Sequence, residues 1–140
     1  MGHRRKAREY ALQMLYQYDV NHEFHNLIEG FWTGKEITDD VREFANNIVE
    51  GVIKNIPLID NNINQSAKNW SIDRMAVVDR NILRMATYEL LFINDIPVKV
   101  TINEAIEIAK RFGGDESGSF VNGILDRILK DHNEIIAEKP

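Results

Sequence analysis

The residues at the start of the chain have the composition of a binding site for an anion. Four cations fall within five positions, at Arg4, Arg5, Lys6 and Arg8, and no acidic residue precedes Glu9. The chain as a whole is acidic, with 17 Lys and Arg against 22 Asp and Glu. A concentrated positive charge can attract a polyanion without making the whole protein basic.

Polar side chains of the same segment recur along one helical line. Arg5, Glu9, Gln13 and Tyr16 are spaced at i, i+4, i+8 and i+11. Cations beside an outward aromatic ring and an amide suit single-stranded nucleic acid, through phosphate contacts, base stacking and hydrogen bonds to base edges. The spacing leaves two other interpretations open, a solvated basic N-terminus and a contact with an anionic membrane surface.

The other residues that could do chemistry indicate neither catalysis nor metal binding. His22 and His25 could share a helical face, but a metal site needs further ligands and the chain has no cysteine. Asp39 and Asp40 stand where helix N-termini favour acids, so we predict a capping role. No nucleophile motif or phosphate-binding loop occurs in the sequence. We therefore expect no enzyme activity, cofactor or metal.

Apolar residues recur with helical spacing in about seven segments, which predicts an all-α bundle with short connections. The first stripe consists of Ala7, Ala11, Met14, Leu15 and Tyr18. A second helix is predicted from Phe24 to near Gly34. A later helix, starting at Pro57, is expected to carry Ile59, Ile63 and Trp70. Thr101 and Glu104 have the spacing of a capping box, and Gly113 is predicted to end that helix.

The stretch from residue 74 to 94 is apolar around nearly its whole circumference, which is typical of a helix in the middle of a bundle. Its polar exceptions are Asp79, Arg80, Arg84 and Glu89. We predict that these four residues form a narrow seam that reaches the surface.

Asn122-Gly123 interrupts the last helical stretch with a dipeptide typical of hairpin turns, yet the apolar period continues through it. A glycine inside a helix costs roughly 1 kcal/mol relative to alanine. Two explanations remain open: close packing of another helix, or room for a different backbone to approach.

Length and composition indicate one domain over residues 1–140. No apolar run approaches the roughly 18 residues that would span a bilayer, and Glu9 and Gln13 interrupt what would be a signal peptide core. The absence of cysteine suits a reducing compartment. We expect a cytoplasmic protein, with mobile residues 1–5 and a C-terminal tail from about 133 to 140.

Three stretches resemble the bacterial NusB family of transcription antitermination factors. They are RRKAREYALQMLYQYD, ILRMATYELLFINDIPVKVTINEAIEIAKRFGG and SFVNGILDRIL, and they span roughly residues 4–129. The resemblance implies a compact helical fold of two subdomains. It also implies binding to boxA RNA of ribosomal RNA operons together with ribosomal protein S10 (NusE), within an RNA polymerase complex that resists termination.

The resemblance also implies roles for individual positions. The residues implied to bind RNA are Arg4, Arg5, Lys6, Arg8, Gln13, Tyr16, Arg80, Arg84, Phe120 and Asn122. Asp79 is implied to face S10. Many family members carry a lysine before FVNG, where this chain has Ser119, so one phosphate contact is in doubt. Thr101 replaces a frequent alanine.

Two other functions fit the same sequence pattern. One is the RNA-binding domain related to ribosomal RNA cytosine methyltransferases, whose catalytic domain these 140 residues do not contain. The other is a protein-only adaptor that does not bind RNA. Homodimerisation through the face that meets RNA or S10 is also left open.

Overall fold

The computed structural model describes residues 2–133, which form seven α-helices and one short 3₁₀ helix. The helices are α1 (Gly2–Asn21), α2 (Leu27–Trp32), α3 (Asp39–Lys54), α4 (Ile56–Ser66), α5 (Val77–Phe92), α6 (Val98–Gly113) and α7 (Asp115–Asp131), with the 3₁₀ turn at Ile72–Arg74. No strand occurs between residues 2 and 133. The predicted all-α architecture is confirmed. Residues 134–140, which make up nearly all of the expected C-terminal tail, lie outside the described range.

Helix α5 is the centre of the bundle. It contacts α1, α3, α4, α6 and α7, and Ile82, Leu83 and Leu90 are almost completely buried. On one side, α1 packs on α2 and α3; on the other, α6 packs on α7, and α7 also contacts α4. The helix predicted to be apolar all round therefore joins the two groups of helices.

Helices α2 and α4 have different bounds from those predicted. Helix α2 begins at Leu27 because Asn26, just before it, takes a left-handed conformation with φ 63°, and Phe24 is exposed ahead of it. Helix α4 ends at Ser66, so Trp70 lies beyond the helix and is 56% exposed. The expectation that this helix carries Trp70 is wrong.

Helix α6 begins one turn earlier than the sequence pattern predicted. Pro97 precedes its first turn with φ −59° and ψ 143°, so Thr101 is already inside the helix. The Thr101 hydroxyl donates to Glu89 at 3.0 Å, and Glu104 accepts two hydrogen bonds from Arg5. The predicted capping box is therefore wrong, because both side chains bind other helices. Gly114, with φ 87°, holds the left-handed position after the helix.

The predicted surface seam on α5 is wrong for two of its four residues. Arg84 is 8% exposed and Glu89 is 1% exposed. Both are held in ion pairs with other helices, so the bundle buries these charges by neutralising them. Asp79 and Arg80 are partly exposed.

The glycine of Asn122-Gly123 lies inside α7, which continues through it. A Cβ atom built at Gly123 would have no heavy atom within 4 Å. Close helix packing therefore does not explain this glycine, and that alternative is wrong.

Candidate nucleic-acid interface

The basic start of α1 lies along α6, and ion pairs join the two helices. Arg5 donates two hydrogen bonds to the Glu104 carboxylate, at 2.6 and 2.7 Å. One turn further along α1, Glu9 accepts from Arg111 at 2.9 and 3.1 Å. A carboxylate of the protein itself thus neutralises Arg5, although the Arg5 side chain is still 39% exposed.

Arg8 is part of the interior. Its residue exposure is 3%, and its guanidinium donates to both Glu89 oxygens at 2.7 and 2.8 Å. Thr101 donates to the same carboxylate, and the Phe44 ring centroid lies 5.2 Å from the guanidinium carbon. In this conformation the Arg8 side chain cannot reach a phosphate at the surface.

The remaining predicted residues of α1 are exposed. Arg4 lies over the Phe44 ring at 4.5 Å and Lys6 over the Tyr10 ring at 5.8 Å. Neither cation forms an ion pair with another residue of the described range. Gln13 is exposed and Tyr16 is 45% exposed. Lys6, Gln13 and Tyr16 lie within about 80° of one another around the helix, and we call these three residues the outer face of α1. Arg4, in the first turn, lies on the opposite side of the helix, against Phe44 of α3.

Arg80 and Arg84 of α5 converge on one carboxylate from α1. Asp19 accepts hydrogen bonds from Arg80 at 2.7 and 2.9 Å and from Arg84 at 3.1 Å. Asn81 also donates to Asp19, at 2.8 Å, and Arg84 makes a two-bond pair with Asp60 of α4 at 2.8 and 2.9 Å. This Asp19 cluster connects three helices, and both arginines implied to bind RNA already have carboxylate partners.

The ion pairs shift the pKa values of the carboxyls that form them. Burial opposes ionisation of Asp19, but hydrogen bonds from Arg80 and Asn81 and the charge of Arg84 outweigh it and lower the pKa of Asp19. Hydrogen bonds from Arg5 lower the pKa of Glu104. Hydrogen bonds from Thr38 and His3 lower the pKa of Asp40 to about 2. All three groups are therefore carboxylates at neutral pH.

The remaining predicted site residues are on the helices α5 and α7. They are Asp79, Phe120 and Asn122. Asn122 is exposed on α7, and Phe120 is partly buried. Asp79 on α5 is partly exposed, yet its Oδ1 is buried without a hydrogen-bond partner within residues 2–133. It lines a groove of about 350 Å³ together with Arg74, Glu116, Ser117, Trp70 and Phe120. We call this the Asp79 groove.

Sequence reasoning missed a second groove, which shares the Trp70 and Phe120 rings with the Asp79 groove. It is lined by residues 66–70, after α4, and by Ser119, Phe120, Gly123, Ile124 and Arg127 of α7. We call it the Trp70 groove. The signal was present in Lys68-Asn69-Trp70, a cation two positions from an aromatic residue, but the apolar spacing assigned Trp70 to the preceding helix.

The described residues contain no group of three His, Cys, Asp or Glu side chains that could hold a metal ion. His22 and His25 are both exposed and sit in the loop region between α1 and α2. No helix between residues 2 and 133 is long and apolar enough to cross a membrane.

Comparisons with known proteins agree on one family. The model of the NusB family matches residues 5–130. A transcription antitermination protein NusB from Trichlorobacter lovleyi is 53% identical, over 91% of both chains. Among solved structures, NusB of T. maritima is 44% identical with a TM-score of 0.83, covering 92% of both chains. A crystal structure of antitermination factors NusB and NusE in complex with double-stranded RNA has a matching chain, with a TM-score of 0.85 and 30% identity over 94% of this chain and 99% of that one.

Proposed function

The chain belongs to the NusB family, and from this membership we propose that it is a transcription antitermination factor that binds boxA RNA together with ribosomal protein S10 (NusE). The observation that carries the proposal on this chain is the outer face of α1. There Lys6 is free of ion pairs within residues 2–133, and Gln13 and Tyr16 are exposed on the same side of the helix. Arg4, in the first turn of α1, adds a second cation that has no ion pair within residues 2–133.

The outer face of α1 together with Arg4 has the groups that single-stranded RNA needs. Arg4 and Lys6 supply charge for phosphates, Tyr16 a ring for base stacking, and Gln13 a donor and an acceptor for a base edge. Arg5 can join them only by exchanging Glu104 for a phosphate. Arg8, Arg80 and Arg84 act as positioning residues, because carboxylates of the protein already hold their guanidinium groups.

The Asp79 groove supports a separate place for S10. Its lining includes the carboxylates of Asp79 and Glu116, with Arg74 as its only cation among the described residues. The negative charge of Asp79 and Glu116 would attract a basic protein surface. A phosphate would be repelled by the same carboxylates.

Further features of the proposal come from the family membership. The chain would join the RNA polymerase antitermination complex through S10 and RNA, act in the cytoplasm and carry out no catalysis. Homodimerisation through the outer face of α1 would compete with RNA.

The proposal is tested by measuring binding to a boxA-like single-stranded RNA at two salt concentrations, with and without S10. A scrambled RNA and a duplex serve as competitors, and Arg4→Gln/Lys6→Gln is the variant. We expect selective binding that S10 tightens. Losing two phosphate contacts should reduce the salt slope by about 1.4, at about 0.7 for each contact.

Two outcomes contradict the proposal in different ways. Equal affinity for the boxA-like and scrambled RNAs would leave only a non-selective basic surface. Absence of RNA binding with S10 present, while S10 itself still binds, would identify a protein-only adaptor.

A further inference from the structure

The Trp70 groove contains cations that the protein leaves unneutralised. Arg5, Arg80 and Arg84 are each held by a carboxylate. Lys68 and Arg127 are exposed, and neither forms an ion pair with any residue in the range 2–133. Both line the same groove. The sequence shows clustered cations only at the start of the chain, so the structure adds a second place where unpaired positive charge is available.

The lining of the Trp70 groove also lacks opposing charge. None of the described residues that line it is acidic, and Asn69 and Ser119 add neutral polar groups. Its volume is about 270 Å³, below the ~300–1,000 Å³ of pockets for drug-sized ligands. The groove therefore suits a small flat group attached to an anionic chain.

The aromatic residues of the groove are arranged as a platform. The Trp70 and Phe120 rings meet edge to face, with centroids 5.7 Å apart and planes at 84°. Trp70 nevertheless remains 56% exposed, although a tryptophan that served only the core would be buried. The turn that carries it is fixed by a backbone hydrogen bond from Trp70 to the Ala67 carbonyl at 2.6 Å.

The open side of α7 gives a chain access to this platform. Gly123 lines the Trp70 groove, and nothing lies within 4 Å of the position its Cβ would take. The protein thus has no packing reason for a glycine that weakens α7 by roughly 1 kcal/mol. A ligand backbone that passes against the helix would supply a reason.

We propose that the Trp70 groove is a nucleotide subsite, in which a single-stranded RNA base stacks on Trp70 while flanking phosphates bind Lys68 and Arg127 and pass by Gly123. This deepens the proposed function and rests on it. The charges of the two grooves that share these rings select the occupant. The Asp79 groove is lined by two acids and one cation, Asp79, Glu116 and Arg74, whereas the charged residues that line the Trp70 groove are both cations. The subsite extends the RNA-binding surface from the outer face of α1 to α7.

The test compares affinities for a boxA-like RNA among purified variants of the full chain, with S10 present. Trp70→Ala should weaken binding about 5- to 150-fold, the range for loss of one base stack. Lys68→Gln/Arg127→Gln should reduce the salt slope by about 1.4. Matched controls are Phe24→Ala, an exposed aromatic residue elsewhere, and Lys130→Gln, an exposed cation on the same helix. Both should bind like the original chain.

Gly123→Ala keeps the test independent of folding. The added methyl group should raise the urea midpoint because alanine favours helices, yet it should weaken RNA binding by filling the path of the strand. A variant that is more stable and binds less tightly cannot be explained by misfolding.

The outcomes separate the subsite from the proposed function. Selective RNA binding that all three variants leave unchanged overturns the subsite and leaves the function intact. Non-selective binding that Trp70→Ala weakens supports the subsite and contradicts the function, and absence of RNA binding contradicts both. Loss of S10 binding by Trp70→Ala in the absence of RNA, with RNA affinity unchanged, would make the groove a protein-docking site.

Discussion

The arginines at the start of α1 look equivalent in the sequence but differ in what they contact. Arg4 is exposed over an aromatic ring, Arg5 is partly exposed and held by Glu104, and Arg8 is buried against Glu89. The three arginines therefore differ in how available their charge is to a ligand. Arg4 is free of ion pairs within residues 2–133, Arg5 would have to exchange its carboxylate partner, and Arg8 is part of the protein interior. Each arginine has its own consequence on substitution.

In the proposed complex, Glu104 would compete with RNA for Arg5. We expect Glu104→Gln to tighten binding to a boxA-like RNA and to raise the salt slope by about 0.7, because one more cation becomes available to phosphate. The measurement is the affinity at several salt concentrations. Glu107→Gln, an exposed acid on the same helix that pairs with Lys110, is the control. Unchanged affinity for Glu104→Gln together with an unchanged slope would show that Arg5 does not contact RNA.

Arg8 contributes to stability rather than to affinity. Arg8→Ala leaves the Glu89 carboxylate buried with its main cation removed, which should lower the free energy of unfolding by about 3–5 kcal/mol. Urea denaturation measures this loss. Arg4→Ala, which removes an exposed cation, should change stability by roughly 1 kcal/mol or less. Equal stabilities of the two variants would mean that the buried pair is not formed in solution.

At the scale of helices, replacing glycine by alanine should have opposite effects on stability at two positions. A Cβ at Gly51 of α3 would overlap the Tyr88 ring of α5, and that ring stacks on Phe92 with centroids 5.3 Å apart. Gly51→Ala should therefore destabilise by about 1–3 kcal/mol through overpacking. Gly123→Ala should stabilise, because its Cβ meets nothing within 4 Å.

Urea midpoints measure the effects of both glycine substitutions. Gly51→Ala/Tyr88→Leu is the matched control, since a smaller side chain at position 88 should recover part of the loss. A stabilising Gly51→Ala would contradict the close contact between α3 and α5.

The number of helices and their buried stripes followed from the sequence, since periodicity is a local signal. Ala7, Ala11, Met14 and Leu15 are all buried as predicted. The ion pairs were not predictable in this way. Arg5 and Glu104 are 99 positions apart, so only the folded structure shows that they meet. Local rules instead assigned Glu104 to a capping box.

In the candidate site, too, local sequence patterns predicted some residues, and others depend on contacts between distant segments. Gln13 and Tyr16 were expected on an outward face of α1, and both are exposed; their contact with RNA remains a prediction. The Trp70 groove was missed because its walls come from the end of α4 and from α7, which no spacing rule connects. Arg84 and Glu89 were expected at the surface, because a single sequence does not reveal which opposite charge will be buried beside each of them.

For the whole molecule, the cross-helix ion pairs make stability depend on pH. Asp19 and Glu104 have pKa values below their ordinary values of 3.8 and 4.5. A carboxyl with a lowered pKa in the folded state stabilises the fold above its ordinary pKa, and that contribution is lost as the pH falls through the lowered value. We therefore expect stability to be nearly constant from pH 7 to about 5 and to fall below about 4.5.

Urea midpoints at pH 7, 5 and 3 measure this dependence. Asp19→Asn should be less stable at pH 7 and should lose less on acidification than the original chain, because the titrating carboxyl is absent. An identical loss in both proteins would assign the acid sensitivity to other carboxyls.

The Arg5–Glu104 ion pair has a consequence for how fast the complex forms. In the proposed complex, RNA would meet Arg4 and Lys6 at once but would reach Arg5 only after the two hydrogen bonds to Glu104, at 2.6 and 2.7 Å, have opened. We therefore expect a fast bimolecular phase of association and a slower phase whose rate levels off as RNA concentration rises. In stopped-flow records, Glu104→Gln should retain the first phase and lose the second, so a carboxylate that touches no RNA would set the pace of the final step.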